Sequence, residues 1–335
     1  MLIGQPGKAE QMNTLDVKLD LLQEFEQGLD PQHPERSKIP ASILGYGEIS
    51  TVFEIRAKGL GGMAFKRLPL FNDMHEVDKY CATLKEYNRR LEQDIGIRLP
   101  PHSYAVFVNA AGRPIFYIIQ QQLPSASIGN RALHLLPRDE LIVFVKQILR
   151  ELRKVWDFSR QQSRVQLAID GQISNWAIQG FDPEQPRVDE TTSLLYVDTS
   201  TPLLRMDGVE QLDTELFLRS APSFLVWILR LVFLKDVVNR YYDFLLVAVD
   251  LAANFYKEQR PDLIPDVIGA INEFFTAEAA SLGVKPLDEE EVRSYYREDA
   301  LIWSLYLAMR RLDRFIRRRL LRREYPYILP EHIKR

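Results

Sequence analysis

A few features spread along the chain could handle phosphate. In Leu44-Gly45-Tyr46-Gly47-Glu48-Ile49-Ser50-Thr51-Val52-Phe53 two glycines stand between two strand-like apolar runs. Missing side chains there let backbone N–H groups approach an anion closely. A tight hairpin would need the same glycines for its dihedrals alone. The P-loop pattern G-x-x-x-x-G-K-[ST] is absent and no helix follows the turn, so neither a P-loop nor a dinucleotide fold is indicated. Lys66 sits inside the apolar run Met63-Ala64-Phe65-Lys66-Arg67-Leu68, where a buried ammonium needs an anionic partner. A strand-edge lysine reaching solvent is the plain alternative. Farther on, Asp170 and Asn175 lie five residues apart ahead of the apolar Trp176-Ala177-Ile178, and Asp198 ends the apolar run Leu194-Leu195-Tyr196-Val197. Alone, each is ordinary: D-x-x-x-x-N recurs by chance, and Asp commonly follows a strand in a turn. Their order along the chain is what gives them weight.

The elements that must position these residues fall into two halves. Thr51 to Ile55 and Met63 to Leu68 read as strands, as do Tyr104 to Val108 and Pro114 to Ile119 around a turn at Asn109 to Arg113. Asp73 to Asp94 has helical spacing, with Val77, Tyr80, Leu84, Tyr87 and Leu91 on one face. Arg138 to Phe158 reads as an amphipathic helix. Two short strands follow, ending near Ile178 and Val197, and almost everything after Glu210 is helical. Residues 1 to about 40 read as a polar extension, with Asp30-Pro31-Gln32-His33-Pro34 and its continuation to Pro40 as a linker. The expected organisation is an extension over 1–41, a small sheet-rich lobe over 42–123 and a helical lobe over 124–335.

The chain has 335 residues, 46% hydrophobic and 27% charged, which excludes a disordered tail, a collagen-like fibre and a disulfide-rich miniprotein. Its net charge of −3 gives no nucleic-acid signature. Cys81 is the single cysteine, which favours a reducing compartment, and a cytoplasmic location is the expectation. The five histidines never fall at i, i+3 or i+4 spacing, so a histidine metal site has no support. No secretory signal is read at the N-terminus. The apolar stretch Leu216 to Leu234 carries Arg219 and Arg230 and contains Pro222. A buried helix is therefore the stronger reading, and a peripheral membrane contact the weaker one.

Gly45-x-Gly47-x-x-Ser50-x-Val52-Phe53, followed by Ala64-Phe65-Lys66, resembles the glycine-rich loop and ATP lysine of the protein-kinase-like superfamily. The likeness is to its aminoglycoside phosphotransferase and choline kinase branch, whose members also often lack a third glycine. It implies an α+β fold of two lobes: a five-stranded antiparallel sheet with one helix, then a mainly helical lobe. The helix after the lysine should supply a carboxylate to hold it. Lys85-Glu86-Tyr87 with Gly96-Ile97-Arg98-Leu99-Pro100 nominates Glu86, and Glu76 competes. Gln121 and Gln122 stand where the interlobe hinge would meet adenine. Asp170 and Asn175 match the catalytic loop, as the base that faces the attacking hydroxyl and as a metal ligand. Asp198 takes the place of the metal-binding aspartate of D-F-G. The resemblance thus implies ATP and Mg²⁺ as cofactors and transfer to the hydroxyl of a small molecule. A scaffold pseudokinase that binds nucleotide or a protein partner is the alternative.

Several positions depart from that pattern. Ala168 replaces the usual His, Gln172 stands where protein kinases carry Lys, Thr199-Ser200 replaces Phe-Gly, and no Ala-Pro-Glu follows. A protein-kinase activation segment therefore has no support. The basic run Arg310 to Arg323 suits an anionic acceptor, nucleic acid or lipid. The reading preferred here is a terminal amphipathic helix. Leu312, Phe315, Ile316, Leu320 and Leu321 would face the core, and the arginines would pair with acids such as Asp288-Glu289-Glu290-Glu291. Trp227, Tyr241, Tyr242, Trp303 and Cys81 are expected in the core.

Overall fold

A computed structural model describes residues 15–218 and 238–329, apart from positions 32, 48–49, 110–111, 321, 323–324 and 326. Alternating side chains build its N-terminal sheet from β1 (Ala41–Tyr46), β2 (Thr51–Ile55), β3 (Met63–Leu68), β4 (His102–Val108) and β5 (Pro114–Gln121). The order is β1-β2-β3-β5-β4, antiparallel throughout. Ile115, Tyr117 and Ile119 of β5 pack on one side with Leu22 and Phe25 of helix α1 (Leu19–Gln27). Phe116 and Ile118 pack on the other with Val77, Tyr80 and Leu84 of α2 (Met74–Arg89). The same period of two sends Lys66 and Arg67 to opposite faces of β3. Arg67 meets Glu26 of α1, which also accepts a hydrogen bond from the Tyr117 hydroxyl.

The N-terminal lobe therefore carries two helices where one was expected. Much of the expected extension belongs to its core: Leu22 and Phe25 are fully buried, and Pro34 is buried in the segment read as a linker. The signal was present in the i, i+3 pair of Leu22 and Phe25, but its polar surroundings masked it. Helix α2 starts at Asp73, whose side chain accepts the Glu76 N–H at 3.0 Å. It runs on through a π-turn at Arg90–Ile95 and stops at Gly96, whose φ of +84° is the left-handed region that favours glycine.

The second half packs around α4 (Arg138–Gln161), which follows the short α3 (Gly129–Ala132). Phe144, Val145, Ile148, Leu149 and Leu152 of α4 are fully buried. Between the helices lie β6 (Val165–Leu167), β7 (Trp176–Ile178), β8 (Leu194–Tyr196), β9 (Leu204–Met206) and β10 (Val209–Glu210). β7 pairs with β8, and β6, β9 and β10 form a second small sheet. After the short α5 (Glu215–Leu218) come α6 (Phe244–Lys257), α7 (Ile264–Ala277) and α8 (Glu289–Phe315). Of the apolar stretch Leu216 to Leu234, residues from 219 onward lie outside the described residues, Trp227 among them. Among the described residues no helix is long and apolar enough to cross a membrane.

The end of the chain corrects the sequence reading. Arg310 and Asp313 are the buried positions of the basic helix, while Leu312, Phe315 and Leu320 are 45%, 56% and 69% exposed. Arg310 to Arg319 do not reach the acidic run Asp288 to Glu291, because both lie on one continuous helix. At 1.5 Å per residue its acidic start and basic end stand about 33 Å apart. Arg317 pairs instead with Asp313 one turn away, at 2.8 Å.

Candidate functional site

β3 delivers Lys66 on the α2 side of the sheet, opposite Ile118 on β5 and Val52 on β2. Its ammonium donates to Asp198 Oδ1 at 2.6 Å and to Ser200 Oγ at 3.0 Å, a contact across 132 residues of sequence. Asp198 follows β8 and is capped from its own turn, accepting from the Ser200 hydroxyl at 2.7 Å and the Ser200 N–H at 3.1 Å. Burial pushes the Asp198 carboxyl up, but the Lys66 ammonium and the Ser200 donors outweigh it and hold it below the usual carboxylate range. Ser200, in the place of a glycine, thus bridges the two charges.

The loop from Ala168 to Asn175 lies against this pair. Asp170 Oδ1 accepts the Gln172 N–H at 3.0 Å, and the Asn175 carbonyl accepts the Val197 N–H at 2.8 Å, next to Asp198. Asp170 is pushed up to about 6, first by burial and then by the Asp198 charge. The Gln172 N–H, Lys257 and the Asn175 side chain act against that rise. Gly171 is required by packing: a Cβ there would lie 2.6 Å from Val247 of α6 and 3.2 Å from Leu152 of α4. The loop's backbone is tied down from α2. The Tyr87 hydroxyl donates to the Ala168 carbonyl at 2.8 Å.

Glu86 is not the partner of Lys66. Its carboxylate pairs with Arg89 at 2.9 Å and Arg90 at 2.7 Å and stays 39% exposed. Those hydrogen bonds and charges, led by Arg89, lower its pKa against burial. The reason is helical phase: the inner face of α2 carries Tyr80, Leu84 and Tyr87, and Glu86 is about 100° around from Tyr87. Glu76 lies nearer that face, but its carboxylate accepts the Asn72 N–H at 2.8 Å at the helix start. What α2 presents near Asp198 is Tyr80, whose hydroxyl donates to the Ser200 carbonyl at 2.8 Å.

The glycine turn closes by a Gly47 N–H bond to the Ser50 carbonyl at 3.0 Å. A Cβ on Gly47 would lie 2.5 Å from Ser50 Oγ, whereas one on Gly45, beside the irregular step in the β1–β2 register, would meet nothing. Glu48 and Ile49 lie outside the described residues. The N–H groups of Gln121 and Gln122 donate to the carbonyls of Pro101 and Gly62, both at 2.9 Å. Their N–H groups are therefore engaged in the fold.

The helical reading after Glu210 covers α6 but does not single out its polar face. Asp250, Asn254 and Lys257 recur at helical spacing on one face of it. Asn254 Oδ1 accepts the Ile173 N–H at 2.8 Å, and the Lys257 ammonium donates to Gln172 Oε1 at 2.9 Å. Asp250 is pushed up to about 7, mainly by burial and then by Asp170. Nothing local in the sequence ties these residues to the loop some 80 positions earlier. Their one signal is polar side chains on an otherwise apolar helix.

A five-stranded antiparallel sheet, a helix between its third and fourth strands, and a following loop and strand pair that meet the β3 lysine define a two-lobed protein-kinase-like fold. The chain belongs to DUF6206, a family of unknown function whose model matches residues 28–314. No curated protein matches it. Among solved structures it is similar to the GDP complex of wild-type aminoglycoside 2'-phosphotransferase-IIIa, at 11% identity and a TM-score of 0.34. That match covers 76% of this chain and 97% of the other. WaaP in complex with acyl carrier protein matches at 12% identity and a TM-score of 0.29, over 68% and 89% of the two chains. WbdD matches at 16% identity and a TM-score of 0.29, over 68% of this chain and 47% of the other.

Proposed function

We propose that this protein is an ATP- and Mg²⁺-dependent phosphotransferase acting on the hydroxyl of a small molecule. The observation that carries the reading is the meeting of Lys66 and Asp198 at 2.6 Å with Asp170 and Asn175 beside them. A lysine so placed suits the α- and β-phosphates under the Gly45–Ser50 turn. Asp198 and Asn175 offer the hard oxygen donors that Mg²⁺ prefers. Among the described residues no three His, Cys, Asp or Glu side chains cluster as a self-sufficient metal cage. Mg²⁺ fits such a sparse set, because it takes one or two protein carboxylates and completes its shell with phosphate and water. Bound there, it would neutralise charge on the phosphates.

The chain's own residues do the rest. Asp170 accepts the proton of the acceptor hydroxyl as that oxygen bonds to the γ-phosphorus. The bond from γ-phosphorus to the bridging oxygen breaks, and ADP leaves. Catalysis is mostly positioning and electrostatics. Replacing Asp170 by Asn removes the base and keeps the shape. Asp170→Asn should bind Mg²⁺-ATP like wild type and lose transfer to any hydroxyl compound that the wild type phosphorylates. Equal transfer by both proteins would refute the assignment.

One observation favours a second reading, a pseudokinase that binds nucleotide or a protein partner as a scaffold. Glu86 is turned to Arg89 and Arg90, so α2 supplies no glutamate to Lys66. Tight Mg²⁺-ATP binding without turnover on any acceptor would select it.

A further inference from the structure

Gln172, two residues after Asp170, is neutral where a phosphoryl-transfer loop needs a cation close to the charge that develops on the moving group. The fold brings one from elsewhere. The last residue of α6, Lys257, places its ammonium 2.9 Å from Gln172 Oε1. The helix is held there firmly. Asn254, one turn earlier, accepts the N–H of Ile173, the residue after Gln172, and Leu251, Ala252 and Phe255 are fully buried. Its C-terminal end is also where the helix dipole favours a positive charge.

Lys257 lies within electrostatic reach of Asp170 and Asp250 and lowers the pKa of each. Among the described residues no carboxylate oxygen lies within the 4.0 Å that defines an ion pair, and its hydrogen-bond partner is the Gln172 amide oxygen. An ammonium has three donors, so this partly buried group keeps donors for an anion beside Asp170. We infer that Lys257, delivered by α6 and aimed by Gln172, is the cation that contacts the γ-phosphoryl group during transfer, a role that rests on the phosphotransferase reading above. Asp170 takes the acceptor's proton and ADP carries away the bridging oxygen. Gln172 is then a positioning residue for Lys257.

The experiment uses the full chain, Mg²⁺, ADP and the non-hydrolysable ATP analogue AMP-PNP, with affinities from calorimetry and folding from thermal melts. Loss of one charge-assisted hydrogen bond to the γ-phosphate should make Lys257→Met bind AMP-PNP about 10- to 100-fold more weakly. ADP affinity and melting temperature should stay at wild-type values. ATP turnover should fall about 10²- to 10³-fold. Exchanging the two side chains, Gln172→Lys with Lys257→Gln, returns an ammonium to the same place and should restore most of the AMP-PNP preference; this variant decides the matter if Lys257→Met melts early. Equal losses for ADP and AMP-PNP, no loss for either, or no recovery in the exchanged protein would overturn the inference while leaving the nucleotide site standing. Wild-type protein that binds neither nucleotide would overturn the phosphotransferase reading itself.

Discussion

Helices α2 and α6 press on the same loop from different sides, and they present opposite kinds of chemistry. Toward the site α2 shows two neutral hydroxyls, Tyr80 on the Ser200 carbonyl and Tyr87 on the Ala168 carbonyl. α6 shows an amide and an ammonium, Asn254 on the Ile173 N–H and Lys257 on Gln172. In the kinase-like pattern the helix after the lysine carries the charge and the loop carries its own cation. Here the first helix has become an anchor for backbone, and the later one supplies the polar and charged contacts. The comparison teaches that positions lost from a motif need not mean a lost centre. Asp198 still meets Lys66, with Ser200 linking the two.

Removing the α6 anchor should do the most damage to stability. Asn254 is buried, and Asn254→Ala leaves the buried Ile173 N–H without its acceptor. The expected loss is about 2–3 kcal/mol in denaturant melts. A change near zero would show that the loop does not depend on α6. On the other side, Tyr87→Phe deletes one hydroxyl and leaves the Ala168 carbonyl without that donor. About 1–2 kcal/mol should go, with no loss of α2 packing, because the ring remains. If Tyr87→Phe costs more than Asn254→Ala, the two helices rank the other way.

Glu86→Gln should have the smallest effect. Its side chain is more than one-third exposed in the ion pairs with Arg89 and Arg90, so at most about 0.5 kcal/mol is expected after screening. The lowered Glu86 pKa fixes the sign. The contribution is present above the ordinary glutamate range and is lost as pH falls through the depressed folded value. Variant and wild type should therefore differ slightly at neutral pH and converge in acid. A large drop in nucleotide affinity in Glu86→Gln would restore it as the lysine's partner.

The parts of the site legible in the sequence are those fixed by short strands. Lys66, Asp170, Asn175 and Asp198 each sit in or beside an apolar run whose strand the structure contains. Period-two alternation sets the direction of Lys66 within β3, while the other three lie in loops or a short 3-10 turn beside their strands. The inner face of α2 was also legible as Val77, Tyr80, Leu84, Tyr87 and Leu91, all of them buried. That same face argues against Glu86, which lies one residue away from Tyr87 around the helix. The motif favoured Glu86, but helical phase decided otherwise. Lys257 was not legible, because only tertiary packing brings the end of α6 to a loop far earlier in the chain. The basic helix was misread because an amphipathic pattern defines two faces without saying which one the protein covers; here Arg310 and Asp313 turn inward.

The central claim is that the Lys66–Asp198 pair is the heart of a Mg²⁺-nucleotide site, and calorimetric titration of ATP with and without Mg²⁺ tests it most directly. Wild-type protein should bind ATP more tightly with Mg²⁺ than without it, and Asp198→Ala should abolish that difference while residual Mg²⁺-independent binding persists. Asp198→Ala binding that responds to Mg²⁺ as the wild type does, or a wild type that binds no ATP under either condition, would contradict the account.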